Sequence, residues 1–303
     1  MNKINLYWFE LKKGHGNFGD ELSAFIISKL TNRKINRILI PASGFDYICR
    51  AYTMLRYRNT TLRKVPSVFT QYFTHTFVAG IGSILAHLNH PHCKVWGSGI
   101  INRQDTIHPA EFYAVRGRYT QQRLRELNLQ VPEAIGDPAL LLPLVYPAKQ
   151  STTYPLGIIP HAVHYVNLSR QLKSSDVLVI DLTDPIEKVI EQINSCEQII
   201  STSLHGIIVS QAYGIPSLWY TYGATKLYGD DVKFYDYFSS VGIDEYQPFE
   251  LDVTSFDAQT AIANITNHSS LTRINKELPK IQAALIHAAP FPVLDKYQSM
   301  ESK

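Results

Sequence analysis

Cysteine, long apolar runs and, over one stretch, acid are what this sequence has least of. Its three cysteines, Cys49, Cys93 and Cys196, are widely spaced, odd in number and form no CxxC pair. That excludes a disulfide framework and a sequence-coded structural zinc site. Acidic residues suited to a metal are too scattered to form a site, and no metal is expected. The longest mostly apolar stretch, residues 138–146, is about half of what a membrane-spanning helix needs. Membrane contact is therefore expected to be peripheral at most. Residues 1–10 carry one lysine and an apolar run too brief for a signal-peptide core. The expected location is the cytoplasm, extending no further than the inner face of the membrane. Acid is nearly missing between residues 33 and 64, where eight Lys/Arg face only Asp46 and the segment carries about +7 of charge. An acidic glycan, a lipid diphosphate or an anionic membrane face fits such a patch. Nucleic acid is the generic alternative and a solvated surface the plain one.

What is present is an ordinary globular balance, 45% hydrophobic and 18% charged, spread over 303 residues. That length exceeds what one hydrophobic core usually serves. Two domains are expected, residues 1–147 and 148–303, divided within the Pro/Ser/Thr-rich stretch 143–155. Short apolar runs at 4–9, 37–40, 75–79, 94–97, 112–115 and 134–135 alternate with helix-like stretches at 20–30 and 119–127. After the divide the alternation restarts, with strands at 156–159, 177–182, 198–201 and 217–220 and helices at 186–195 and 204–213. Asp184-Pro185 opens the first of these helices, since a proline at a helix start costs no hydrogen bond. The pattern predicts an α/β fold of parallel strands with crossover helices in each half. The tail reads as helical at 256–264 and 272–288, its last helix placed to cross back over the first half.

In open parallel sheets, ligands collect beyond the carboxyl ends of the strands, where helix N-termini offer free N–H groups to anions. Five loops there hold polar residues that a packed core does not demand. The first runs from Gly14 to Glu21 and includes Asn17, Gly19 and Asp20; Asp20 can cap the following helix or act as a general base. The second, Gly80-Ile81-Gly82-Ser83, and the third, Gly97-Ser98-Gly99, are small-residue turns whose N–H groups can converge on a phosphate. Neither is a GxGxxG or a P-loop, so a nucleotide is not specifically signalled. In the fourth, Arg116 ends a strand at the mouth of a helix and can grip phosphate or carboxylate bidentately. The fifth, Ser201-Thr202-Ser203-Leu204-His205-Gly206, sets an imidazole at a helix start, where it can bind an anion or give a proton.

In order, the segments NFGDEL, GIGSI, VWGSG, AVRGRYT, AIGDPALLL, GIIPH and ISTSLHGIIVSQAYGIPSL resemble the polysaccharide pyruvyl transferase family, over Asn17 to about Gly242. The resemblance implies a GT-B-like fold, two Rossmann-like domains facing a cleft. It also implies phosphoenolpyruvate as co-substrate, a sugar or lipid-linked glycan as acceptor, no cofactor, no metal and no nucleic-acid partner. The family's phosphoenolpyruvate-binding arginine matches Arg116 and its histidine matches His205. Many members carry Arg-Leu-His-Gly where this chain has Ser203-Leu204-His205-Gly206, so one positive charge is missing, and Lys233 or Arg118 is placed to supply it. On this basis Asp20 and His205 are the expected catalytic pair. Arg116, His205, Ser83, Ser98 and Lys233 are expected at the donor, and Asn17, Arg56, Arg58 and His161 at the acceptor. Asp137, in Gly136-Asp137-Pro138, reads as a turn residue or a second base. A nucleotide-sugar glycosyltransferase on the same architecture is the alternative, with Glu245 or Glu250 available for a ribose. A non-catalytic glycan-binding protein is the other.

Overall fold

Two parallel sheets organise the chain. The computed structural model describes residues 3–8, 18–38, 52, 75–90, 92–172, 176–223 and 227–298. The first sheet is built from β1 (Ile4–Tyr7), β2 (Ile35–Arg37), β3 (Phe77–Ala79), β4 (Cys93–Trp96), β5 (Glu111–Val115) and β6 (Ala134–Ile135), in the order β2-β1-β3-β4-β5-β6. The second is built from β7 (Tyr154–Ile159), β8 (Val177–Val179), β9 (Cys196–Ser201), β10 (Ser217–Thr221) and β11 (Phe249–Glu250), in the order β11-β10-β9-β7-β8. Every ladder is parallel. Strands buried on both faces read as unbroken apolar runs. Phe77-Val78-Ala79 is buried throughout, as is Leu156 to Ile159. The predicted strand at 37–40 starts where β2 ends, and residues 39–40 lie outside the described part.

Both sheets reverse direction at the same place in their order. The chain enters the interior at β1, goes out to β2, and returns on the other side as β3; β7, β8 and β9 repeat this. Each reversal leaves a crevice at the carboxyl ends of the two central strands, between β1 and β3 and between β7 and β9. The helix Phe18–Thr31 begins at the first crevice. Asp20 and Glu21 in its first turn and Lys29 in its last complement the helix dipole. It buries Phe18, Leu22, Ile26, Ile27 and Leu30, and the Phe18 N–H donates to the Leu182 carbonyl at 3.0 Å in the second half. One buried cluster runs through both sheets, from Leu6, Ile26 and Trp96 to Ile159, Ile208 and Trp219.

The tail folds back on the first sheet. Trp96 Nε1 donates to the Leu285 carbonyl at 2.9 Å, and Gln282 Nε2 to the Leu140 carbonyl at 2.7 Å. Both partners lie on the helix Leu278–His287, and Phe291 meets the Trp96 ring edge-on at 5.0 Å. The predicted connecting stretch 143–155 is only partly a connection. It begins inside a helical turn, Leu142–Val145, and ends inside β7. Proline at the start of that turn is compatible with helix, and Leu142 and Val145 are buried. Among the described residues no helix is long and apolar enough to cross a membrane.

Candidate active site

The two crevices meet. A Cβ added to Gly19, in the first turn of the helix after β1, would lie 2.1 Å from Nδ1 of His205, in the first turn of the helix Leu204–Ala212 after β9. Only glycine permits that approach. Asp20 is buried beside the Gly80–Ser83 loop, its Oδ1 3.6 Å from where a Cβ on Gly82 would stand. The helix starts at Phe18, so Asp20 occupies its third position and not the cap. The small-residue loops are tied to each other: Ser98 Oγ donates to the Gly80 carbonyl, the Ile81 N–H to Ser23 Oγ at 2.7 Å, and the Gly99 N–H to the Gly82 carbonyl at 3.1 Å.

Arg116 ends β5 and is 1% exposed, its charge answered by a carboxylate from the other half. Its Nε donates to Asp236 Oδ2 at 3.0 Å, Nη1 to Ser83 Oγ at 2.7 Å and Nη2 to the Ile100 carbonyl at 2.6 Å. Asp236, on the helix Val232–Val241, also accepts from the Thr120 N–H at 2.9 Å and from Thr120 Oγ1 at 2.7 Å. It thereby caps, from another element, the start of the helix Arg118–Glu126, whose own N-cap is Gly117 and offers no side chain. Three of the guanidinium's five N–H donors are used in this way. One on each terminal nitrogen remains for another acceptor.

Around this pair the charge is unbalanced. Burial first, then Arg116, Lys233 and His161, push the His205 imidazole down to about 3. Burial, Lys233 and His164 push His161 down to about 4. Burial and Arg116 push the Lys233 ammonium down to about 8, against a smaller opposing pull from Asp231. Two imidazoles, a lysine and an arginine thus disfavour one another's charge in one neighbourhood. His161 is fixed there by its N–H bond to Thr202 Oγ1 at 2.8 Å. An anion entering that neighbourhood would raise all three depressed groups. Lys233 is charged below about pH 8 and neutral above. Inorganic phosphate is accordingly expected to raise the melting temperature at about pH 7 and to lose that effect by about pH 9.5. In Lys233→Met the shift should be small at both; equal shifts in the two proteins would remove Lys233 from the anion site.

The sequence singled out most of this set but not its pairings. His205, Arg116, Lys233, His161, Asp20 and Ser83 come together. Ser83 Oγ accepts from Arg116 Nη1, and Ser98 Oγ donates to the Gly80 carbonyl. His161, expected at the acceptor, stands with Lys233 and His205. Arg118 lies toward Lys276, whose ammonium it helps to push down. Asn17, Arg56 and Arg58 lie outside the described residues. Glu245 accepts from the Tyr119 hydroxyl, and Glu250 closes β11, exposed. Asp236 went unassigned; its one signal is a lone carboxylate among the aromatics Phe234, Tyr235, Tyr237 and Phe238. Among the described residues no group of three or more His, Cys, Asp or Glu could hold a metal ion.

A sequence model of the polysaccharide pyruvyl transferase family matches residues 17–223. The chain belongs to that family. The match spans the helix start at Phe18, both small-residue loops, Arg116, Asp137, His161 and His205, and ends ahead of Lys233 and Asp236. An uncharacterized protein of Acanthamoeba polyphaga mimivirus is 36% identical over 180 residues, 56% of this chain and 62% of that protein. This chain thus spans less than two thirds of that relative. Membership of the pyruvyl transferase family gives the convergence of basic groups a context.

Proposed function

We propose that the chain transfers pyruvate from phosphoenolpyruvate to a sugar of a cell-surface polysaccharide or its lipid-linked precursor, closing a ketal across two hydroxyls. Residues 1–147 and 148–303 then act as the two Rossmann-like domains of a GT-B-like enzyme, with the donor between the two crevices. The observation that carries this reading is the gathering of Arg116, Lys233, His161 and His205, three of them held below their ordinary pKa. A ligand bearing both a phosphate and a carboxylate matches such a site. Lys233 takes the place of the charge missing at Ser203.

The chemistry balances without an outside acid. The methylene carbon takes a proton, the adjacent carbon takes an acceptor oxygen, and the phosphate leaves with the electron pair of its C–O bond. A second hydroxyl then closes the ring. Of the two protons released by the diol, one ends in the new methyl group and one on phosphate. Asp20 serves the acceptor hydroxyl and His205 passes the proton, while Arg116 and Lys233 hold the donor's negative charge. Asn17, Arg56 and Arg58 are assigned to the acceptor, on charge and position in the sequence. No cofactor or metal enters this scheme.

The test is phosphate release from phosphoenolpyruvate against neutral and acidic sugar acceptors, with EDTA present and His205→Ala as control. Acceptor-dependent release that survives EDTA and disappears in the variant is the expected result. No release, with a thermal shift from nucleotide sugars and none from phosphoenolpyruvate, would replace this reading by a glycosyltransferase.

A further inference from the structure

Two buried polar atoms in the site face each other without any other partner. His205 Nε2 and Asp137 Oδ2 are 4.0 Å apart, both sealed from solvent, and neither has a hydrogen bond. Orphaned buried polar atoms are rare in folded proteins and call for a reason. Hydrogen bonds that serve catalysis are often long before the substrate is bound. Asp137 is held rigidly. Its other oxygen accepts from the Ala139 N–H at 2.9 Å, capping the turn Pro138–Leu141, and Pro138 packs against Gly97, where a Cβ would lie 2.1 Å from its ring. His205 is held on its opposite side by Gly19. Its side chain is 15% exposed although Nε2 is sealed, so its access to the site lies away from Asp137.

We infer that Asp137 is the positioning residue of a His–Asp dyad: it holds the proton of neutral His205 on Nε2 and leaves Nδ1 as the atom that takes and returns the reaction's proton. This rests on the proposed role of His205 as the proton carrier. The step needs no net acid. Nδ1 takes the proton of the acceptor hydroxyl that Asp20 orients, the imidazolium is stabilised across the dyad by the Asp137 carboxylate, and the proton then passes to the donor's methylene carbon. The surroundings suit a neutral resting imidazole. Arg116, Lys233 and His161 oppose its charge, as does its place in the first turn of a helix. Burial pushes the Asp137 carboxyl up to about 6; the Ala139 N–H and then Arg116 pull it down, and Asp236 adds to the rise. Tyr237 is near enough for Asp137 to help raise its phenol. The carboxylate form, and with it the dyad, is therefore present above about pH 6 and lost below.

Nitrogen NMR of the wild-type protein, with His205 assigned by difference from His205→Gln, reads the tautomer with no donor or acceptor present. Above about pH 7 the expected result is a protonated Nε2 and a bare Nδ1. In Asp137→Asn the amide oxygen still accepts from Ala139, and its NH2 group now faces Nε2, so the proton is expected to move to Nδ1. The variant should lose between about 10²- and 10⁴-fold in kcat, with the KM for phosphoenolpyruvate little changed and the limb near pH 6 gone. A wild-type proton on Nδ1, an unmoved tautomer in the variant, or kcat and KM worsening together with the pH limb intact would overturn the dyad. If the donor is some other molecule, the activity assay is silent while the tautomer reading still decides.

Discussion

Gly19→Ala should leave a folded protein with at most about one hundredth of the wild-type activity. The added methyl would lie 2.1 Å from His205 Nδ1 and 2.6 Å from its Cγ, so the helix or the ring must move. Neither moves freely. The helix start is tied to the second half by the Phe18 N–H bond to Leu182, and beyond the ring stands the buried Asp137. A displacement of about 1 Å in a reacting group can cost about 10²-fold in rate. The stability cost should be smaller, about 1–3 kcal/mol for overpacking, partly offset because alanine favours helix over glycine by about 0.5–1 kcal/mol. Steady-state rates and a thermal melt on the same preparation separate the two effects. A variant with normal kcat would show that His205 does its work from a different position.

The largest stability effect is expected at Arg116→Met. Removing one partner of a buried ion pair leaves the other uncompensated, at a cost of about 3–5 kcal/mol. Asp236 is 0% exposed and, through Thr120, also holds the start of the neighbouring helix. Without the guanidinium its carboxyl would take up a proton, so the loss should shrink on acidification. Urea unfolding at about pH 7 and about pH 5 measures this. A pure donor ligand would behave differently, raising the KM for phosphoenolpyruvate with the urea midpoint unmoved. If that is the outcome, Arg116 is not the counterion that the distances indicate.

The strands were legible because parallel strands covered on both faces need unbroken apolar runs, and 77–79 and 156–159 supply them. The two-residue β11 was not, since Phe249-Glu250 carries no periodicity at all. Arg116 and His205 could be picked out because each follows an apolar run at a strand end, a position that local sequence encodes. Their partners could not. Asp236 lies 120 residues from Arg116 and Asp137 lies 68 before His205, and no local pattern specifies contacts over such separations. Asp137 read as a turn residue, and it is one; its second oxygen is what faces the imidazole. The cap expected at Asp20 failed, because Asp20 is the third residue of the helix Phe18–Thr31, inside its first turn.

The return of the last helix onto the first sheet bears on how the protein is made. The Trp96 indole N–H finds its acceptor 189 residues later, at Leu285, and the ring packs against Phe291. During synthesis from the amino end, the first sheet emerges early with that flank bare. It stays bare until nearly the whole second half has followed. Domains of a nascent chain generally fold in the order they emerge, but here the first sheet cannot be covered until the second is out. That interval, with a large aromatic surface waiting, is where a chaperone would have its longest opportunity.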